Sequence, residues 1–157
     1  MMNIEKRRLV GRSIVSKRYY SLLKKITTNV SILDNIVSLE MSDSIIDDSE
    51  EGELLYFKTY LFKDRTNIKE DVLKFVHADK GFYLWTKDSF YCGHLYMPNL
   101  LSFNFEFEFD DDENGIIVFS YPDKKILMDY YEEAGNYYVD LKVFQLLSKE
   151  TGLKRDE

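Results

Sequence analysis

The chain has a single cysteine, Cys92, among 157 residues, which excludes an internal disulfide and any site built from several thiolates. That scarcity fits a reducing compartment, and the cytoplasm is expected. No window of about 18 apolar residues exists, so no membrane-spanning helix is expected. The N-terminus lacks the continuous apolar segment of a secretory signal. Alanine occurs only at 78 and 134 and proline only at 98 and 122, a scarcity that carries no mechanism. Also missing are the glycine-rich nucleotide loops, the H-E-x-x-H zinc motif and the G-x-S-x-G elbow. Acids are nearly absent before residue 34, where Glu5 stands against eight bases and the net charge is +7.

What is present describes one domain, 1–157. Its length suffices to bury roughly two-thirds of the unfolded surface, and 45% apolar with 31% charged residues is an ordinary globular balance. Twelve Tyr, eleven Phe and one Trp make it rich in rings. The whole chain carries −7, so everything after residue 33 carries −14. A body that acidic repels nucleic acid and favours a basic partner, with long-range attraction raising the association rate.

Residues 1–41 read as a basic helical N-terminus. From Ser13 to Thr27 the apolar Val15, Tyr19, Leu22, Leu23 and Ile26 recur at three-and-four spacing, with Lys17, Arg18, Lys24 and Lys25 opposite. Such a stripe suits a core-facing helix with solvated bases; an anionic membrane surface, a nucleic-acid contact and a clamp on the acidic body are the competing roles. The Lys-, Arg- and Ser-rich start shares the composition of a transit peptide but reads better as this helix. Ser31 and Asp34 resemble a capping box opening a second helix through Ile32, Leu33, Ile36, Val37 and Met41, paired with the first.

Residues 42–53 hold six acids (Asp43, Asp47, Asp48, Glu50, Glu51 and Glu53) and no base, the pattern of an exposed loop. The β-rich body, 54–157, opens with a strand over Leu54–Phe62 and a short helix from Asn67 to Val76 ahead of Gly81. A hairpin follows, Phe82–Thr86 with Phe90–Tyr96. Leu101, Phe103, Phe105, Phe107 and Phe109 alternate with Ser102, Asn104, Glu106 and Glu108, predicting a strand with one core face and one acidic face. Asn114-Gly115 then turns into a strand over Ile116–Tyr121. Residues 122–139 fit strand or helix; strand composition favours two strands around Glu133-Ala134-Gly135-Asn136. Leu141–Thr151 reads as a closing helix stopped by Gly152. The fold class is therefore α+β: an N-terminal helical pair on a mostly antiparallel, meander-like sheet, with a short central helix and a C-terminal helix.

The chemical possibilities are few. Asp110-Asp111-Asp112-Glu113-Asn114-Gly115 matches the opening of a calcium-binding EF-hand loop, but its twelfth position is Tyr121 instead of a bidentate Glu, and strands flank it. A solvated hairpin tip is the simpler reading. Cys92-Gly93-His94 would put a thiol and an imidazole on one strand face, where a nucleophile and base could meet, yet no third group orients them. With His77 the only other histidine, a structural zinc site is implausible. Glu106 and Glu108 would lie roughly 7 Å apart on a strand, inside the range of two-carboxylate hydrolases, but nothing apolar is placed to raise one pKa. No catalytic residue, metal or cofactor is expected.

Acidic stretches beside aromatic residues remain: Asp47, Asp48, Glu50 and Glu51; Glu106, Glu108, Asp110, Asp111, Asp112 and Glu113; and the Tyr130 and Tyr137 pairs, which turn one ring of each outward if extended. In this the chain resembles, in type and without a shared motif, the bacterial immunity proteins of polymorphic or contact-dependent toxin systems. The resemblance implies a cytoplasmic, non-enzymatic inhibitor that covers a basic toxin domain, its acids standing where substrate phosphates would lie; no nucleic-acid or membrane partner is implied. A regulatory or host-interaction module from a virus or mobile element is the alternative, and an enzyme using Cys92 or the Glu pair a further one.

Overall fold

A computed structural model describes residues 2–108 and 115–147. Helix α1 (Ile4–Val10) starts at Asn3, whose Oδ1 accepts the Lys6 N–H at 2.8 Å. It runs through one π turn, Gly11–Val15, into α2 (Ser16–Ile26). Val15, Tyr19, Leu23 and Ile26 are buried on one side, as their spacing predicts. Three of the N-terminal bases also pair with acids later in the chain. Arg7 holds Asp43 through two hydrogen bonds of 2.9 Å, Arg18 holds Asp88 through two of 3.0 and 2.6 Å, and Arg8 reaches Glu40 at 3.0 Å.

The second predicted helix is broken into α3 (Ile32–Asn35) and α4 (Leu39–Asp47). Between them Ile36 forms an isolated bridge to Leu95 and the Val37 N–H donates to the His94 carbonyl at 2.9 Å, so pairing with the body overrides the local helical period. The acidic stretch 42–53 is not a loop. Ser38 caps α4 by accepting the Met41 N–H, Leu39 and Ser42 are buried, and a strand begins by Glu51. Two of the six acids, Asp43 and Asp47, lie in that helix, whose buried face anchors it.

Six strands form one antiparallel sheet: β1 (Glu51–Leu61), β2 (Phe82–Thr86), β3 (Leu95–Met97), β4 (Gly115–Ser120), β5 (Lys124–Glu133) and β6 (Asn136–Leu146), ordered β1-β6-β5-β4-β2-β3. Only β4 to β6 make a meander. The short central helix is α5 (Thr66–Val72). The predicted hairpin around Lys87-Asp88-Ser89 keeps its pairing, Phe82 opposite Met97, but its return passes through a helical turn, α6 (Ser89–Cys92), before β3. Gly93, at φ 95°, makes the exit that a side chain would resist. Residues 122–139 are extended, and β5 and β6 join through Ala134 (φ 52°) and Gly135 (φ 82°), the two left-handed residues that a tight hairpin needs.

Two further expectations are corrected. The closing helix does not form over Leu141–Leu146, because β6 is held between β1 and β5; the rest of that segment, from 148, lies outside the described residues. Over its described part, 101–108, the Phe-rich stretch is not a strand either, and Phe109 lies outside the described residues. Leu100–Ser102 is a 3-10 turn, Phe103 bridges to Thr27, and Asn104 ties the next residues to the end of α2: its N–H donates to the Ile26 carbonyl, and its Oδ1 accepts the Glu106 N–H. The period of two survives in burial. Phe103, Phe105 and Phe107 are buried while Glu106 and Glu108 are exposed, though Leu101 is 60% exposed. Their rings meet Phe119 and Tyr130 edge to face at 4.8 to 6.4 Å. With α2 and α5 they cover one face of the sheet, where Leu84, Phe119, Ile126, Met128, Leu141 and Val143 form the single core.

Candidate protein-binding face

The residues that alternate with that core make the second face of the sheet. Strand registers set them side by side in rows: Thr59, Asp140, Asp129 and Ile116 in one; Phe57, Lys142, Leu127, Val118 and Trp85 in the next; Lys125, Ser120, Tyr83 and Tyr96 beyond. At the other end Leu61, Tyr138 and Tyr131 line up across β1, β6 and β5. Phe57 is 54% exposed, and Leu61, Tyr96 and Ile116 are also exposed. Lys142 lies over the Phe57 ring at 5.7 Å, and Tyr131 stacks on Tyr138 at 5.6 Å. The Trp85 indole N–H, closed off from solvent, has no acceptor among the described residues.

Two carboxylates sit in the middle of this aromatic field. Asp129 and Asp140 are direct cross-strand partners, the arrangement in which like charges repel most on a sheet. Asp140 is tied down: its Oδ1 accepts from Thr59 at 2.7 Å and from the Tyr131 hydroxyl at 3.0 Å. Asp129 carries the penalty. Partial burial, and then the negative charge of Asp140, push its pKa up, with Lys142 opposing. Burial and the same Asp140 contact push the Tyr131 hydroxyl up as well. Such a pair gains when a cation arrives, and the rings around it offer broad, rigid contact area.

The predicted partner-binding residues do not converge on this face. Asp47 ends α4 with Asp48 as its cap, Glu50 precedes β1, and Glu51 opens it and pairs with Lys125 at 3.0 Å. Glu106 and Glu108 are exposed beside Arg65, which donates to the Glu106 carbonyl and approaches Glu108 at 3.7 Å. Because their segment is not a strand, the paired-carboxylate geometry falls away. Asp110, Asp111, Asp112 and Glu113 lie outside the described residues. Tyr130, expected outward, is 2% exposed among Phe62, Phe107 and Met128; Tyr131 is the outward ring of that pair. Tyr137 is half-buried opposite Glu132. Asp129, Asp140, Tyr131 and Tyr138 were missed, and the signal for them was the parity of β5 and β6, which could be read once both segments were extended.

The Cys92 and His94 pair does not form a reactive couple. Cys92 ends α6 instead of sharing a strand face with His94, and burial pushes its thiol up to about 11. Burial pushes His94 down to about 4, despite Asp43 nearby. A thiol pushed up and an imidazole pushed down both disfavour a thiolate–imidazolium ion pair. Beside these residues a buried polar knot seats α2 on α6. The Tyr19 hydroxyl donates to the Gly93 carbonyl at 2.6 Å and, with that proton committed, accepts from Ser89 at 2.8 Å; Ser89 in turn accepts the Thr86 N–H. A second knot pins α5 to β1, where Asp71 accepts from Tyr60, Tyr56 and Lys74, contacts that hold its pKa down. Tyr121, the residue that fails the EF-hand pattern, is buried against Phe82. No group of three or more His, Cys, Asp or Glu among the described residues is placed to hold a metal ion. No described helix is long and apolar enough to cross a membrane. Comparison with protein-family models, curated proteins and solved structures found no match.

Proposed function

We propose that this protein is a non-enzymatic binding protein of the immunity type, which takes a basic toxin domain on the second face of its sheet. The observation that carries the reading is the Asp129 and Asp140 pair, facing each other across β5 and β6 beside the exposed Phe57 ring and the half-buried stack of Tyr131 and Tyr138. Two carboxylates in cross-strand contact lose stability in the free protein and recover it when a guanidinium or ammonium group neutralises them. Charge of −7 on the chain, and −14 after residue 33, draws such a partner in from a distance.

The test is capture of the tagged protein's partner from its native cell, followed by reconstitution from purified components. The expected partner is basic, loses its toxic activity on stoichiometric addition of the protein, and is released by Asp129→Asn combined with Asp140→Asn. A partner that is acidic, or that stays bound and inhibited with both carboxylates neutralised, would overturn the proposal.

A further inference from the structure

In the order β1-β6-β5-β4-β2-β3, the strand β1 pairs with β6 alone, which leaves its outer edge without a neighbour among the described strands. Two bonds at the end of β6 show which backbone groups of β1 point outward. The Leu146 N–H donates to the Asp123 carbonyl beside β5, and the Leu147 N–H donates to the Glu50 carbonyl beside β1, each at 3.0 Å. Backbone direction alternates along a strand, and β5 and β6 pair without a register shift. Val139, Leu141 and Val143 therefore aim their N–H and C=O groups at β1, where Tyr60, Lys58 and Tyr56 stand opposite them. The N–H and C=O groups of Phe57, Thr59 and Leu61 point away from the sheet, and no described backbone group meets them. Their side chains are exposed on the second face, and both register shifts of β1 fall before this stretch.

We infer that two copies of this chain pair antiparallel along this edge, about a two-fold axis at Thr59. In that register Phe57 stands opposite the second copy's Leu61, Thr59 opposite its own counterpart, and Leu61 opposite the second copy's Phe57. Every member of these pairs points its N–H and C=O at the other copy, as an antiparallel ladder requires. A shift by one residue would set outward groups against inward ones. A shift by two would set Lys58 against its own counterpart, or run past the end of β1 at Leu61. The side chains match as well, because the exposed Phe57 and Leu61 meet at both ends of the pairing on the second face. Charge selects the same segment: the chain carries −7, yet Tyr56 to Leu61 holds Lys58 and no acid, and each Lys58 keeps its own Asp71 at 3.8 Å. The row Asp129, Asp140 and Thr59 would run on into the second copy's row, with the two Asp140 side chains three strand spacings, roughly 14 Å, apart. The pairing stands whether or not that face binds a toxin.

Sedimentation equilibrium of the full chain should show monomer and dimer in exchange. The dissociation constant should fall about threefold or more between low salt and about 0.5 M, because salt screens the repulsion between two copies of charge −7. Capture of a basic partner has the opposite salt dependence, so the two readings fail separately. Thr59→Pro removes an N–H that points outward, which an edge strand tolerates, and should weaken the dimer at least about tenfold. Phe57→Lys combined with Leu61→Lys, at exposed positions, gives the same readout if the first variant fails to fold. Cysteine pairing in a Cys92→Ser background reads the register. Thr59→Cys meets its counterpart with Cα atoms about 5.5 Å apart, inside disulfide range, and should cross-link two chains under mild oxidation. Phe57→Cys, whose counterpart lies four residues along and roughly 14 Å away, should not. A chain that stays monomeric at millimolar concentration, a dimer unchanged in the variants, or Phe57→Cys cross-linking as readily as Thr59→Cys would overturn the inference.

Discussion

At the scale of single residues, buried and facing charges make opposite demands on pH. His94 is 1% exposed and pushed down to about 4, so the folded protein holds it neutral. Its contribution is fully present above the unfolded value near 6.5 and is lost as pH falls towards 4, amounting to about 3 kcal/mol. His94→Gln should flatten that part of the acid limb in urea unfolding followed from pH 7 to pH 4. Asp129 has the reverse sign. Its folded carboxyl binds a proton more tightly than the unfolded one, so the protein loses stability as pH rises through the folded pKa. Asp129→Asn should therefore stabilise the free protein at pH 7 by roughly 0.2–1 kcal/mol, and the gain should shrink on acidification. A variant less stable than the parent at pH 7 would show that the Asp140 repulsion is not felt.

At the scale of elements, helix phase decides what can be clasped. A Cβ at Gly11 would sit 2.5 Å from the Tyr91 carbonyl oxygen, a backbone atom that cannot swing away. Gly11→Ala should cost roughly 1–3 kcal/mol by overpacking, measured as a shift in urea midpoint. Inserting one alanine into α1 after Arg8, with the π turn kept, would rotate the residues before it by about 100° relative to α2. Arg7 would leave Asp43 while Tyr19, Leu23 and Ile26 stayed in place, so unfolding should become biphasic or α1 should lose its amide-exchange protection.

Elements were also where the sequence was most and least legible. Strong period, as in Val15 to Ile26, survived folding because local pattern and tertiary packing agree, while residues 122–139, which fit either period, became the strands that their composition favoured. Leu141 to Leu146 read as helix because Val143, Leu146 and Leu147 keep three-and-four spacing, although Val139, Leu141 and Val143 keep a period of two, and the neighbours β1 and β5 decide between them. The Phe run kept its in-out order but lost its strand to Asn104, whose side chain turns the backbone towards α2. The face proposed for binding was hidden for the same reason: Asp129 and Asp140 are eleven positions apart and become a pair only through the hairpin register.

At the scale of the whole molecule, the −7 charge predicts kinetics. Association with a basic partner should slow by about tenfold or more between low salt and about 0.5 M, with dissociation changing far less; stopped-flow mixing would show it, and a salt-independent on-rate would mean that the rings alone guide docking. The strand order has a consequence during synthesis. β1 pairs only with β6, the last described strand to leave the ribosome, so β1 waits without a neighbour while everything between is made. Leu54, Phe57 and Leu61, exposed even in the finished protein, sit on that waiting strand. Nascent chains stalled before residue 136 would thus be the sticky form of this protein, open to pairing with each other or to capture by a chaperone.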